Sequence, residues 1–269
     1  MYRMHHFPAF LPTGKLAGGA AYPWYTADAL NSSTPLAPLG AFWELQGDLD
    51  VGGGNAFIYV KATEALAAGE VVSWKVAASS TVTASGSDTR KIVYAAGSLT
   101  VNAEVGNFLY IQNTTSNGGG SVLRRIRSNT ATVITFGGAD PNSPSGADDV
   151  DCLTLAATNG DVVSIIRPYQ VQICTATTVP IGIALGTVTS GNYTIIQVAG
   201  LALAKVDGDT TDVTINLPCA PGAGGILFSN AAAAAGVEAY RGNSIFLPRV
   251  ANTGAAALRP VEFNCFGNL

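Results

Sequence analysis

The sequence predicts an all-β protein, a β-barrel or β-sandwich core with an extended N-terminal arm and a C-terminal extension. Three observations carry that prediction. Short runs rich in β-branched and aromatic residues recur from about residue 46, turns built on glycine separate them, and helical periodicity is nearly absent. Of 269 residues, 48% are hydrophobic and only 12% charged, the reverse of the balance that keeps a chain disordered, so the chain folds.

The first 45 residues read as an extended arm. Prolines at Pro8, Pro12, Pro23, Pro35 and Pro38 exclude a long helix or a central strand. Yet the segment carries Phe7, Phe10, Tyr22, Trp24, Tyr25, Phe42 and Trp43, more aromatics than a solvated linker would hold. An arm lying on its own domain or on a neighbouring subunit accounts for both features. These seven rings are candidate partner contacts.

Residues 46–220 form the expected body. "AFIYV" (56–60), "EVVSWKVA" (70–77), "KIVYA" (91–95), "NFLYIQ" (107–112), "SVLRRIRS" (121–128), "TATVITF" (130–136), "DVVSII" (161–166) and "YQVQICT" (169–175) read as strands. "IGIALGTV" (181–188), "NYTIIQVAGLALAKV" (192–206) and "DVTINL" (212–217) continue the series, with "TNGD", "TSGN" and "VDGD" as turns. Both alternating faces of "YTIIQVAGLALAKV" are largely apolar, which predicts a strand covered on both sides, with Gly200 at a bend, a bulge or a close backbone approach. Trp74, inside "VVSWKV", is expected in the core. "TEALAAGE" (63–70) and "NAAAAAGVEAY" (230–240) are the two places where a turn or two of helix is expected. Residues 221–269 form a C-terminal docking segment whose end is apolar, and Phe263 and Phe266 join the candidate contacts.

The chemistry on offer is sparse. The two histidines, His5 and His6, both stand in the arm, so a Ser-His-Asp or Cys-His arrangement has no base near the body, and a three-histidine zinc site is impossible within one chain. "VGGGNAF" and "SNGGGSV" lack the Lys-Ser/Thr of a phosphate loop and serve as turns. Acidic groups at Asp148, Asp149 and Asp151, and at Asp207, Asp209 and Asp212, do not match a calcium-hand loop and read as solvated turn acids. Cys152, Cys174, Cys219 and Cys265 form no C-x-x-C pair, and the expectation is four reduced, mostly buried thiols. No enzyme, cofactor or metal is therefore expected.

Net charge is −4 and the basic residues are scattered; Arg124, Arg125 and Arg127 make the densest group, suited to salt bridges or subunit contacts rather than to nucleic acid. No apolar run approaches the roughly 18 residues that span a bilayer, so no membrane partner is expected. "MYRMHHFPAFLPTGK" has no continuous apolar core of a secretory signal, which leads to the expectation that the chain is made and used without export through the standard route.

Three stretches resemble bacteriophage virion proteins. "VPIGIALGTVTSGNYTIIQVAGLALAKV" (179–206) resembles the core of capsid decoration (cement) proteins, where a strand with Gly-x-Ala leads through a glycine turn to an apolar strand of V-x-V-x-G type. The matching positions are Gly182, Ala184, Ser190-Gly191 and Gln197-Val198-Ala199-Gly200. "EALAAGEVVSW" (64–74) is similar to the early strand of such proteins. "VGNFLYIQNTTSNGGGSVLRRIRSNTATVITF" (105–136) resembles a hairpin recurrent in phage head proteins. Cement proteins are much shorter; this chain adds the arm, an insertion at about residues 79–150 and the C-terminal segment.

The resemblance implies a non-enzymatic virion protein on the capsid surface. It would bind the phage major capsid protein, bridge coat subunits and associate with itself as a homotrimer. A tail, fibre or receptor-binding component is the alternative within the virion, and a carbohydrate-binding β-domain the alternative outside it.

Overall fold

The computed structural model describes residues 30–45, 55–83, 87–112, 122–139, 149–150, 153, 157–175, 178–208, 212–229 and 245–265. Its strands, in chain order, are β1 (Phe42–Leu45), β2 (Asn55–Ala62), β3 (Val71–Thr83), β4 (Lys91–Tyr94), β5 (Phe108–Gln112) and β6 (Val122–Arg125). Then follow β7 (Ser128–Asn129), β8 (Val133–Thr135), β9 (Gly138–Ala139), β10 (Asp149–Val150), β11 (Val162–Ile173) and β12 (Pro180–Ala184). The last are β13 (Tyr193–Asp207), β14 (Cys219–Pro221), β15 (Leu227–Ser229), β16 (Ile245–Pro248) and β17 (Ala257–Asn264). The fold is all-β. A short 3-10 turn stands at Ala223–Gly225.

The chain divides into two compact units, Met1–Trp74 with Tyr169–Leu269, and Lys75–Pro168. The sequence places an insertion at about 79–150. The inserted unit is wider at both ends, because the second half of β3 and the first half of β11 pair inside it: Val82 N–H donates to Asp161 O at 2.8 Å, and the Ser79 and Ser164 hydroxyls meet at 2.8 Å.

In the first unit five strands close into a barrel. β2 is antiparallel to β13, β13 to β12 and β12 to β3, while β11 runs parallel to β2. Pairing of β3 with β11 completes the circuit, and Cys174 N–H donates to Val71 O at 2.9 Å beside it. Closure removes the free edges that an open sheet of this apolarity would expose.

β2 has both faces buried, Ile58 and Val60 on one, Phe57 and Tyr59 on the other. Phe57 and Tyr59 cluster with Ile195 and Leu30, Tyr193 stacks on Tyr59 with centroids 6.1 Å apart, and Leu36 N–H donates to the Tyr59 hydroxyl at 2.8 Å. Residues 30–45 are thus no free arm. Ser32 bridges Tyr193 and β1 pairs antiparallel with β2, so this end of the aromatic segment is a cover over the barrel's own rings.

Gly182 and Gly200 are required where they stand. A Cβ on Gly182 would collide with the backbone carbonyl of Gln197 on the neighbouring strand. Gly200 has φ +102°, in the region that favours glycine, and a Cβ there would strike Asn55. The register of β13 against β2 slips between Gln197 and Ala199, so the bulge sits beside that glycine.

The bulge divides β13 into two halves of different burial. Residues 194–200 are buried on both faces, as the sequence predicts, whereas residues 201–207 alternate, with Ala202, Ala204 and Val206 inside and Leu201 and Leu203 outside. The C-terminal segment takes up this second half. β17 pairs with β13 over eight residues, Ala199↔Asn264 to Val206↔Ala257, and β16 pairs with β17. Cys174, Cys219, Phe246, Val261, Phe263 and Cys265 share the core beneath. Each large apolar side chain buried there contributes about 1.5–3 kcal/mol, so the segment is part of this unit's interior rather than an appendage.

Other expectations fail locally. Residues 63–70 are not helical: Leu66 bridges Val188, and Ala67–Glu70 make a tight turn closed by Glu70 N–H to Ala67 O at 3.2 Å. "DVTINL" is a loop with one bridge, Val213 to Asn252; Asn216 at φ 62° turns the chain where a strand would need to continue. The strand at 181–188 stops at Ala184, since Leu185–Gly186 leave the ladder before the Val188 bridge. Residues 230–240 lie outside the described residues.

The second unit is a sheet over its own core. β6 pairs with β5 and β5 with β11, while β3, β4, β8 and β7 pair in that order. Ile92, Leu109, Ile111, Ile134, Phe136, Val163 and Ile165 fill the core. Register puts Tyr110 opposite both Leu123 and Ser164, and Phe108 opposite both Arg125 and Ile166, on the face away from that core.

Candidate functional site

Glu64, Glu70, Asp88 and Asp161 each accept from backbone N–H groups and hold local chain geometry. Glu70 Oε2 accepts from Ala67 N–H at 2.7 Å and its Oε1 pairs with Lys205 Nζ at 2.8 Å, fixing the Ala-Gly-Glu turn against β13. Glu64 Oε1 accepts from Ile173 N–H at 2.5 Å, and Asp161 Oδ2 from Thr158 N–H at 2.7 Å. Burial alone would raise the Asp88 pKa, but the Arg90 and Lys91 N–H groups and the Lys91 charge outweigh it and hold the carboxyl below the ordinary range. No group of three or more His, Cys, Asp or Glu gathers among the described residues. His5, His6, Cys152, Asp148, Asp151 and Asp209 lie outside them.

Cys174, Cys219 and Cys265 are buried, and burial pushes the Cys219 thiol up to about 12, far from the thiolate that chemistry would need. Asn252 donates to Val206 O, Gly254 O and Ala255 O and accepts from Arg259, which pins the β17 loop. No helix among the described residues is long and apolar enough to cross a membrane.

The aromatic candidates separate into three groups. Phe7, Phe10, Tyr22, Trp24, Tyr25 and Phe266 lie outside the described residues. Trp43 stands in β1, paired in register with Phe57. Phe42 and Phe263 are buried, 4% and 3% exposed, and Phe263 stacks on Phe246 with centroids 5.6 Å apart. Their rings pack the chain's own interior. Trp74 is buried as expected, with Tyr169 edge-on at 5.9 Å.

An exposed apolar surface lies elsewhere in the first unit, on the outer face of β13, β17 and β16. Register places Leu203 opposite Pro260, Lys205 opposite Leu258, Leu201 opposite Glu262, and Glu262 opposite Leu247. Leu203 is 54% exposed, Leu258 44%, Ile245 40% and Leu201 38%. The Lys205–Glu70 and Arg249–Glu262 ion pairs lie among them, Glu262 standing between Leu201 and Leu247. Exposed apolar side chains interspersed with paired charges on one sheet face suit a protein interface. The sequence did not single out these leucines, because "YTIIQVAGLALAKV" reads as apolar on both faces. The signal was the strict Leu-Ala-Leu-Ala alternation of residues 201–204, which puts small residues inward and large ones out.

No protein-family model, no curated protein and no solved structure matches this chain.

Proposed function

We propose that this chain is a non-enzymatic structural protein of a bacteriophage virion that binds the capsid's outer surface and stabilises the shell by bridging coat subunits. The observation that carries the proposal is the open apolar face of β13, β17 and β16. It lies on the strand that contains the Gln197–Gly200 part of the resemblance. The resembling positions also work together in the barrel: Gly182 abuts Gln197, and Glu70 of the Ala-Gly-Glu turn pairs with Lys205 of β13.

A clamp needs contact area and rigid geometry and no reacting group. Specific interfaces bury on the order of 1,600 Å² in total, and exposed leucines on a sheet supply the apolar centre of such an area. The partner is the phage major capsid protein, and the chain associates with itself as a homotrimer. A ligand that binds only the assembled shell stabilises it by mass action.

The test is the copy number of this chain in gradient-purified phage particles, relative to the major coat protein. A ratio of the same order supports a shell component. A handful of copies points to a tail or fibre, and absence from particles overturns the proposal.

A further inference from the structure

The second unit presents a different surface, and we infer that the outward face of its β6–β5–β11–β3 sheet docks an acidic protein surface. Between Lys75 and Pro168 the chain has seven basic and seven acidic residues, yet the signs are segregated. The parts of β3, β5, β6 and β11 inside this unit contain Lys75, Arg124, Arg125 and Arg167 and not one aspartate or glutamate; register puts Arg124 opposite the core residue Leu109 and leaves Arg125 on the outward face. The acids among the described residues stand outside those strands: Asp88 beside β4, Glu104 in a turn, Asp149 in the short β10 and Asp161 before β11.

Phe108, Tyr110 and Arg125 share the outward face by register, and Lys75 occupies the same alternating positions of β3 as Ser79, whose hydroxyl meets Ser164 there. Val162 on this face is 44% exposed, Arg125 is exposed, and Phe108 and Tyr110 are half-buried. Rings of this kind keep an accessible edge or face while the sheet holds them rigid, so little side-chain entropy is lost on binding.

Aromatic residues and arginine are enriched at the centre of protein interfaces, and aspartate and glutamate depleted. A face with cations and no carboxylate repels a basic partner and steers an acidic one, which sets its specificity. Two flat rings flanked by Lys75 and Arg125 on a pleated surface fit the carboxylates and apolar stems of an acidic polypeptide. Two cations, Lys75 and Arg125, fall on this outward face by register and alternation, far short of the long basic track that a phosphate backbone needs. The inference concerns the other unit and stands without the virion proposal.

The test titrates the full chain into fluorescein-labelled poly-L-glutamate and reads anisotropy. The expected result is binding that weakens about tenfold between about 0.05 M and 0.3 M salt. Arg125→Glu is expected to weaken it a further roughly tenfold, and Tyr110→Ala at both salt concentrations alike. Leu203→Glu in the first unit leaves it unchanged. Arg125→Gln, checked for native near-ultraviolet circular dichroism, serves if the charge reversal unfolds the protein. Binding unaffected by Arg125→Gln and Tyr110→Ala overturns the inference. Tighter, Arg125-dependent binding of an oligothymidylate overturns it as well, and assigns the face to nucleic acid.

Discussion

Two open sheet faces, one in each unit, differ in how they resist indiscriminate association. The face of β13, β17 and β16 is aliphatic, and its charges are tied into the Lys205–Glu70 and Arg249–Glu262 pairs. The face of β6, β5, β11 and β3 is aromatic and serine-bearing, with cations and no acid. The first attracts any apolar surface of matching shape, so its selectivity rests on shape. The second carries a sign, so it selects by charge before contact. On the two proposals one fold class would support two recognition chemistries, because a sheet with one buried face leaves the other free to carry any residue type.

The sharpest way to break the comparison is to unfold one unit under the other. Phe136→Ala removes a fully buried ring from the second unit and is expected to cost about 3–5 kcal/mol, while Gly182→Ala forces a Cβ into the Gln197 carbonyl of the first and costs roughly 3 kcal/mol. Hydrogen exchange checks this. Protection is expected to fall in residues 75–168 for the first variant and in the barrel strands for the second; equal loss in both units would mean that they open together.

A smaller effect separates the two cores by pH. The Cys219 thiol is pushed up to about 12 by burial, so the folded state keeps a proton that the unfolded chain releases near pH 9. Its contribution is complete below pH 9 and is lost as pH climbs toward 12. Tyr59 and Tyr94, both raised chiefly by burial, act in the same direction above their ordinary value of 10.0. Urea unfolding at rising alkaline pH is expected to show falling stability, with a shallower slope for Cys219→Ala. An unchanged slope in that variant would assign the loss to the tyrosines.

The smallest expected effect is the most useful for sharpening the contrast. Leu203→Glu sits on an exposed position and is expected to change stability by no more than about 0.5 kcal/mol, yet to weaken binding to coat shells at least roughly tenfold. Thermal unfolding and shell co-sedimentation read the two quantities separately. A large loss of stability would mean that this face is packed rather than open.

Much of the body was legible from local signals. Thr158–Asp161 closes as a turn with Gly160 at φ 91°, and Gly191 at φ 87° turns the chain before β13, as "TNGD" and "TSGN" predict. Gly200 combines the bulge and the close approach that its place in a strand suggests. What misled was apolar composition without pairing information. "DVTINL" has the residues of a strand but only one bridging partner, and "TEALAAGE" has helix formers in a segment that the barrel holds by Leu66, Glu64 and Glu70.

The sequence by itself determined the all-β class, the turn positions, the burial of Trp74 and of three thiols, and the scarcity of reactive groups, because each follows from residue type and short-range spacing. Only the tertiary structure decided that Phe42 and Phe263 fill the interior while Leu201, Leu203 and Leu258 face out. Strand pairing sets which of two alternating faces is covered, and a one-residue slip at the Gln197–Ala199 bulge is enough to exchange them.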